Sequence, residues 1–343
     1  MSGQGFRLPA EWARQDGVLL AWPHAGTDWS ANLDDAEASF VELVTTIARF
    51  ETCVLCVADE QVAARARSLL GGVDPARLRL VSAAYDDTWL RDSGPITMTD
   101  GERFRVLDFR FTGWGGKFEA GRDDALVAEL VASGMFGDAE HRRVEFALEG
   151  GAIDCDGAGT LLTTWACMSR RHPGLERAAI EDVLKRELAC QRVLWLTEGE
   201  LAGDDTDAHV DTLARFASES AIVFQACDDE GDEHFQSLKA MTLELFDLKD
   251  AHGNPYHLFP LPWPAPIQAA DGRRLAASYA NFLIVNDAVL MPAYDDPADA
   301  RAAEVLAHAF PDREVVPVSC RPLIEQNGSL HCLTMQLPEG VLR

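Results

Sequence analysis

No window of the chain reaches the roughly 18 uninterrupted apolar residues of a membrane-spanning helix. The opening residues, Met-Ser-Gly-Gln-Gly-Phe-Arg, lack the apolar stretch of a signal peptide, so the expectation is a cytoplasmic protein with no membrane partner. Basic residues are scarce, 30 Lys and Arg against 56 Asp and Glu, for a formal charge of −26. Nothing resembles a basic footprint, which argues against nucleic acid as a partner. Such a surplus of acids draws in small cations, although the global charge alone asks for nothing beyond solubility or adaptation to salt. Eight cysteines in 343 residues are too few for a disulfide scaffold. Cys53, Cys56, Cys167, Cys190 and Cys227 lie in or beside apolar runs, as buried free thiols do. Cys53-Val54-Leu55-Cys56 has redox or metal spacing, yet the run Cys53–Ala58 reads as a buried strand, and no second Cys or His pair has zinc spacing. Linkers and low-complexity stretches are also missing. With 47% apolar residues available for a core, a single domain over 1–343 is expected, though the length alone would allow two.

What is present is a recurring unit of strand, turn, strand, amphipathic helix and strand. Val18–Trp22, a helix near 34–50 and strand 52–57 come first, with helix 60–70 and strand 79–82 as an excursion. Further copies read as 89–92 with 96–99, 104–109, helix 123–133 and 143–146; then 152–154, 160–164, helix 175–188 and 192–196. Two more follow: 210–216, 221–225, helix 233–248 and 257–261; then 281–285, 288–292, helix 297–309 and 314–318. Leu330–Leu337 is left over and is expected to complete the first unit's sheet. Repeats of this period imply a closed radial array, which leaves no exposed strand edges.

Four chemically distinctive motifs fall at the mouths of these units: Trp89-Leu90-Arg91-Asp92, Leu148-Glu149-Gly150-Gly151, Asp207-Ala208-His209-Val210-Asp211 and Leu330-His331-Cys332-Leu333-Thr334. In a radial array they converge on one pocket. A thiol with a histidine suggests nucleophilic catalysis, and several carboxylates beside them suggest a cationic substrate. A guanidinium fits, because carboxylates can hold its planar fork of N–H donors. Asp92 and Asp211 are the candidate clamp, Cys332 the nucleophile, His209 the acid and base, and Glu149 the group that orients His209 and keeps it protonated. The plainer readings are a core position for Cys332, a turn at Glu149-Gly150-Gly151, a local Arg91–Asp92 ion pair, and a metal site at Asp207, His209 and Asp211, whose alternate spacing puts them on one face of a strand. The calcium-loop pattern and H-E-x-x-H are both missing. His331 is expected on the opposite strand face from Cys332, with no catalytic role.

Nearly end to end, the chain resembles the agmatine deiminase family of guanidino-modifying enzymes, which is related to bacterial-type peptidylarginine deiminases. The resemblance rests on the four motifs above with Pro9–Trp12, Ala21-Trp22-Pro23, Asp87–Pro95, Gly113-Trp114-Gly115-Gly116, Asp156–Thr160 and Ala277–Phe282. It implies an α/β pentein fold, a five-fold pseudo-symmetric ββαβ propeller. It further implies Cys332, His209 and Glu149 as catalytic residues, Asp92, Asp211 and Trp89 as substrate-binding residues, no metal or organic cofactor, and a homo-oligomer. The implied reaction is hydrolysis of agmatine to N-carbamoylputrescine and ammonia, a step toward putrescine and other polyamines. Deimination of arginine or peptidylarginine is the alternative within the class. An amidinotransferase and a non-catalytic polyamine-binding propeller are the alternatives outside it. Three departures stand out: Gln326-Asn327-Gly328-Ser329 replaces a glycine-rich stretch, Trp165-Ala166 replaces two acids before Cys167, and Ala208 replaces a glycine. The first two are expected to reshape the pocket for the substrate's tail.

Overall fold

Within strands Gln15–Ala21 and Thr52–Val57, Val18–Ala21 and Cys53–Val57 are unbroken apolar runs instead of an alternation, the signature of strands covered on both faces. In the computed structural model, which describes residues 5–342, they pair in parallel, Val18 opposite Cys53 and Ala21 opposite Cys56. A parallel pair needs a crossover, and helix Leu33–Ile47 supplies it, burying Ala36, Phe40, Leu43, Val44 and Ile47 along one stripe. Met335–Pro338 joins the other edge of Gln15–Ala21 antiparallel, completing a ββαβ unit from opposite ends of the sequence. Leu78–Ser82 extends the sheet as a fourth strand after helix Glu60–Leu69. The segment examined for a leader lies outside the described residues through residue 4, and no described helix is long and apolar enough to cross a membrane.

The unit then recurs, each time as an antiparallel pair followed across a helix by a parallel strand. Ile96–Thr99, Phe104–Arg110 and Glu140–Ala147 form one sheet; Ile153–Cys155, Thr160–Thr164 and Arg192–Leu196 the next. Ala214–Ser218, Ala221–Gln225 and His257–Leu261 form a third; Leu283–Val285, Ala288–Ala293 and Glu314–Ser319 a fourth. With the first unit these five sheets make the pseudo-symmetric ββαβ propeller of the pentein fold. Cys53 and Cys56 are wholly buried in their strand, where burial pushes both thiols up, Cys56 to about 12, as a core position requires. Cys190 and Cys227 are only half-buried, which corrects the expectation of core thiols there.

The segments expected as the beginnings of first strands are instead helical turns. Leu90–Ser93 forms one helical turn, and Gly150–Ala152, Val210–Thr212 and His331–Leu333 form 3-10 turns. The turn at 90–93 packs against those at 150–152 and 331–333, and the one at 150–152 against that at 210–212. Four turns from four units thus meet at the centre.

That centre is polar. Glu11 accepts from Arg215 Nη2 at 2.6 Å and from the Ile284 backbone N–H at 2.7 Å, and lies 2.9 Å from His331 Nε2. Arg215 also donates to the Phe282 carbonyl at 2.9 Å, and both side chains are buried. Burial works against the Glu11 charge, but Arg215 and His331 reverse its effect and hold the carboxyl well below its usual range. Arg215→Met leaves this carboxylate under-compensated. Removing one partner of a buried pair typically costs about 3–5 kcal/mol, so the urea unfolding midpoint should fall by a corresponding amount with an unchanged slope.

Candidate active site

Each central turn is held by its own local device. Asp92 accepts from the Gly151 N–H at 3.0 Å and from Trp114 Nε1 at 2.8 Å, so both carboxylate oxygens are oriented. Trp114 itself sits at φ 54 between glycines of positive φ, a strained loop that places its indole on Asp92. Before His209, Asp207 and Ala208 both adopt left-handed φ, 70 and 68. Asp204 secures this bend by accepting from the Thr206 and Ala208 N–H groups at 2.8 and 2.7 Å, while Thr164 Oγ1 donates to the Ala208 carbonyl at 2.7 Å. Alanine stands here at a left-handed φ that favours glycine because its neighbours enforce the conformation. Around Cys332, Asn281 Oδ1 accepts from the His331 and Cys332 N–H groups at 2.9 and 3.4 Å.

The structure brings Asp92, Glu149, His209, Asp211 and Cys332 together, all buried. His209 Nδ1 lies 3.6 Å from Asp92 and Nε2 3.5 Å from Glu149, and neither ring nitrogen has a hydrogen-bond partner. Burial disfavours the charged ring, but Asp92, Cys167 and Glu149 outweigh it and hold the imidazole well above its ordinary value. Glu149 is oriented by Arg171, whose Nε donates to it at 2.6 Å; burial raises its carboxyl, and His209 and Arg171 bring it below normal. Asp211 Oδ2 faces His331 Nδ1 at 2.7 Å and the Cys332 sulfur at 3.8 Å, while Asp211 Oδ1 is buried with no partner. Burial with Asp211 and Asp92 nearby raises the Cys332 thiol well above its usual value. Asp92 is pushed up to about 6, chiefly by burial, with the Asp211 and Glu149 charges adding.

A cavity of about 270 Å³ reaches this cluster, with Cys332, Asp92, Trp89 and Trp114 in its wall. Trp89 is fixed by Nε1 donation to Asp87 at 3.2 Å and by packing on Trp29 with ring centres 5.6 Å apart. The rest of the lining includes Asp28, Asp86, Asp87, Glu119, Asp123 and Asp205, and no lysine or arginine. Burial raises Asp87 to about 7 and Asp123 to about 6, each with a neighbouring aspartate adding to the effect.

Several sequence expectations need correction. His331 does not point away from the site: in a turn instead of a strand, it bridges Asp211 and Glu11. Asp207 shares no face with His209 and Asp211, because the left-handed bend turns it to Arg170, Arg171 and Lys117 at 2.6, 2.6 and 2.9 Å. Arg91 is not paired with Asp92 but reaches the His331 carbonyl at 3.4 Å and lies 3.8 Å from Glu11. Trp165 packs on Trp195 and under Arg177, outside the cavity wall, whereas Gln326, Asn327 and Gly328 line it. Of the two departures expected to reshape the pocket, only the stretch 326–329 touches it, through its first three residues. Arg171, Trp114 and Asn281 were missed; the latter two lie in quoted motifs, while Arg171 had no signal beyond an Arg-Arg pair. The described residues hold one grouping that could take a metal, Glu149, Cys167 and His209, with ligand atoms within 4.8 Å of one another. Arg171 already occupies one Glu149 oxygen, and the cationic His209 stands between carboxylates, an arrangement suited to proton transfer.

The model of the Porphyromonas-type peptidyl-arginine deiminase family matches residues 7–338. The chain belongs to this family. The agmatine deiminase of Pseudomonas putida is 37% identical over 99% of this chain and 97% of its own. Among solved structures, a cysteine-to-serine agmatine deiminase of C. jejuni with substrate bound superposes with a TM-score of 0.89 at 33% identity, covering 100% of this chain and 99% of that one. A Porphyromonas gingivalis protein, provisionally described as an arginine deiminase, has a TM-score of 0.91 at 45% identity, over 99% and 100%. The family member described here is an enzyme that hydrolyses a guanidino C–N bond.

Gly151 gives the site a direct test. A Cβ there would lie 2.7 Å from Asp92 Oδ1, 2.7 Å from His209 Nδ1 and 3.1 Å from Asp211 Oδ2, so all three side chains close around its bare face. Gly151→Ala should lower kcat/KM at least ~100-fold, the scale of a 1 Å misplacement, while circular dichroism and the unfolding midpoint show a folded protein.

Proposed function

We propose that this chain is an agmatine deiminase, converting agmatine and water to N-carbamoylputrescine and ammonia as a step toward putrescine. The observation that carries the reading is the cavity wall: it joins the Cys332 sulfur to a set of carboxylates with no basic side chain among them. Agmatine has a guanidinium at one end and an ammonium at the other, and both ends suit such a wall. Arginine would bring a carboxylate against those acids, and like charges brought together cost several kcal/mol. Arginine deimination is the second reading, supported by the 45% identity to the P. gingivalis protein.

In this mechanism Asp211 Oδ1, buried without a partner, and Asp92 take the guanidinium, with Trp89 against its stem. The arriving cation offsets the carboxylates that hold the Cys332 proton, so the thiolate forms as substrate binds. Sulfur attacks the guanidinium carbon to give a tetrahedral adduct. His209, cationic between Asp92 and Glu149, protonates the departing nitrogen, which leaves as ammonia with a thiouronium on Cys332. The neutral imidazole then takes a proton from water attacking the same carbon; the C–S bond breaks and the product leaves. Glu149, fixed by Arg171, favours the imidazolium form. These groups supply every proton and the nucleophile, so the reading calls for no metal or organic cofactor. A cytoplasmic homo-oligomer belongs to the same proposal: all eight cysteines are unpaired, as a reducing compartment keeps them, and Leu243 and Phe246 stand exposed on one helix.

Ammonia release from agmatine, arginine and a blocked arginine peptide, measured side by side, tests the substrate. Agmatine should lead in kcat/KM by about 100-fold or more, the scale of a like-charge penalty; arginine in the lead would replace this reading with the second. Cys332→Ser should remove turnover while retaining agmatine binding by calorimetry, because a neutral hydroxyl is a far weaker nucleophile. Retention of more than about a hundredth of the activity would end the covalent mechanism.

A further inference from the structure

The Cys332 sulfur lies among groups of the wrong sign for a thiolate. Asp211 Oδ2 is 3.8 Å away, and Asp92 adds its charge. The nearby imidazoles do not touch sulfur: His331 is turned onto Asp211, and His209 lies between Asp92 and Glu149. Among the described side chains, one nitrogen donor reaches the sulfur, Asn281 Nδ2, at 3.3 Å.

The orientation of this amide is fixed by its other end. Asn281 Oδ1 accepts from the His331 and Cys332 backbone N–H groups, at 2.9 and 3.4 Å. Rotating the amide would set its NH2 against two donors, which the buried site could not satisfy. The NH2 is therefore fixed as the nearer end to the sulfur, 3.3 Å against 3.5 Å for Oδ1, with the Asp211 carbonyl 3.4 Å from the same nitrogen. Its two protons match these two acceptors. A neutral thiol gains little from such a donor, whereas a thiolate gains a charge-assisted bond.

We infer that Asn281 is a catalytic residue: its amide is a preset donor that stabilises the Cys332 thiolate, and its carbonyl end holds the turn that carries the sulfur. The inference rests on Cys332 being the nucleophile. No covalent change occurs at Asn281. The thiol proton leaves to solvent through the cavity, and the amide takes up the hydrogen bond to the remaining anion.

The test compares Asn281→Asp and Asn281→Ala with the wild type. The first retains the Oδ1 acceptor for the two backbone N–H groups, and the second adds no charge, so a shift common to both reports the lost donor. Two readouts are taken without and with substrate: the pH dependence of Cys332 alkylation by iodoacetamide, followed by peptide mass spectrometry, and kcat with KM for agmatine. Both variants should alkylate about tenfold more slowly at neutral pH, with the profile moved to higher pH, and lose about 100-fold or more in kcat, as expected for a donor to developing charge. A wild-type alkylation profile in Asn281→Asp, with kcat within about threefold of the wild type, would reduce Asn281 to a structural clip and overturn the inference. Failure of the nucleophile assignment is read separately, from residual activity in Cys332→Ser.

Discussion

A buried carboxylate oxygen without a partner, Asp211 Oδ1, is the constraint around which the centre is arranged. An ionised group taken out of water is costly unless compensated. Here compensation arrives from behind: His331 engages the other oxygen, Glu11 faces the far side of that imidazole, and Arg215 pairs with Glu11. Burial would raise the Asp211 carboxyl, yet His331, His209 and Arg215 hold it below its usual range. The protein keeps the charge and leaves one of its oxygens without a partner. Glu149 is treated the same way, with Arg171 on one oxygen and His209 opposite the other.

The propeller was legible because each unit repeats one hydrophobic grammar. Runs such as Thr52–Val57 and Ala221–Gln225 have no alternation to confuse, and helix Leu33–Ile47 carries a plain apolar stripe. The closure by Met335–Pro338 followed from one strand being left over. The central turns were not legible. Trp89 and Leu90, or Val210, look like strand residues locally, and the turn they adopt is chosen by packing against turns from other units. The left-handed pair Asp207–Ala208 carries no glycine to announce it, because Asp204 and Thr164 impose it through hydrogen bonds. His331 meets Asp211 120 residues away and Glu11 320 away in sequence, distances over which no spacing rule operates.

The departures from the family pattern separate by what they touch. Ala208 is absorbed by its local hydrogen bonds, and Trp165 serves an aromatic contact with Trp195 far from the chemistry. Gln326 to Gly328 are different, since they form the cavity wall beside Trp89. A Cβ at Gly328 would come within 2.2 Å of the Trp89 ring, so the glycine lets the chain pass flat against that indole. The departure that reaches the cavity is therefore confined to one short stretch.

The strand that closes the first sheet also sets a schedule for the newborn chain. Met335–Pro338 lies just after the turn carrying Cys332, and its partner Gln15–Ala21 precedes every other strand of the described residues. Closing so long a loop is slow kinetically, though its entropic cost grows only with the logarithm of length. During synthesis the first sheet must wait, one edge unpaired, until the other four have been made. Cys332 and the strand beside it follow every carboxylate of the pocket in the chain, so a ribosome-bound fragment stopped before residue 332 carries those carboxylates without that sulfur. The thiol and the closure of the first sheet thus arrive together.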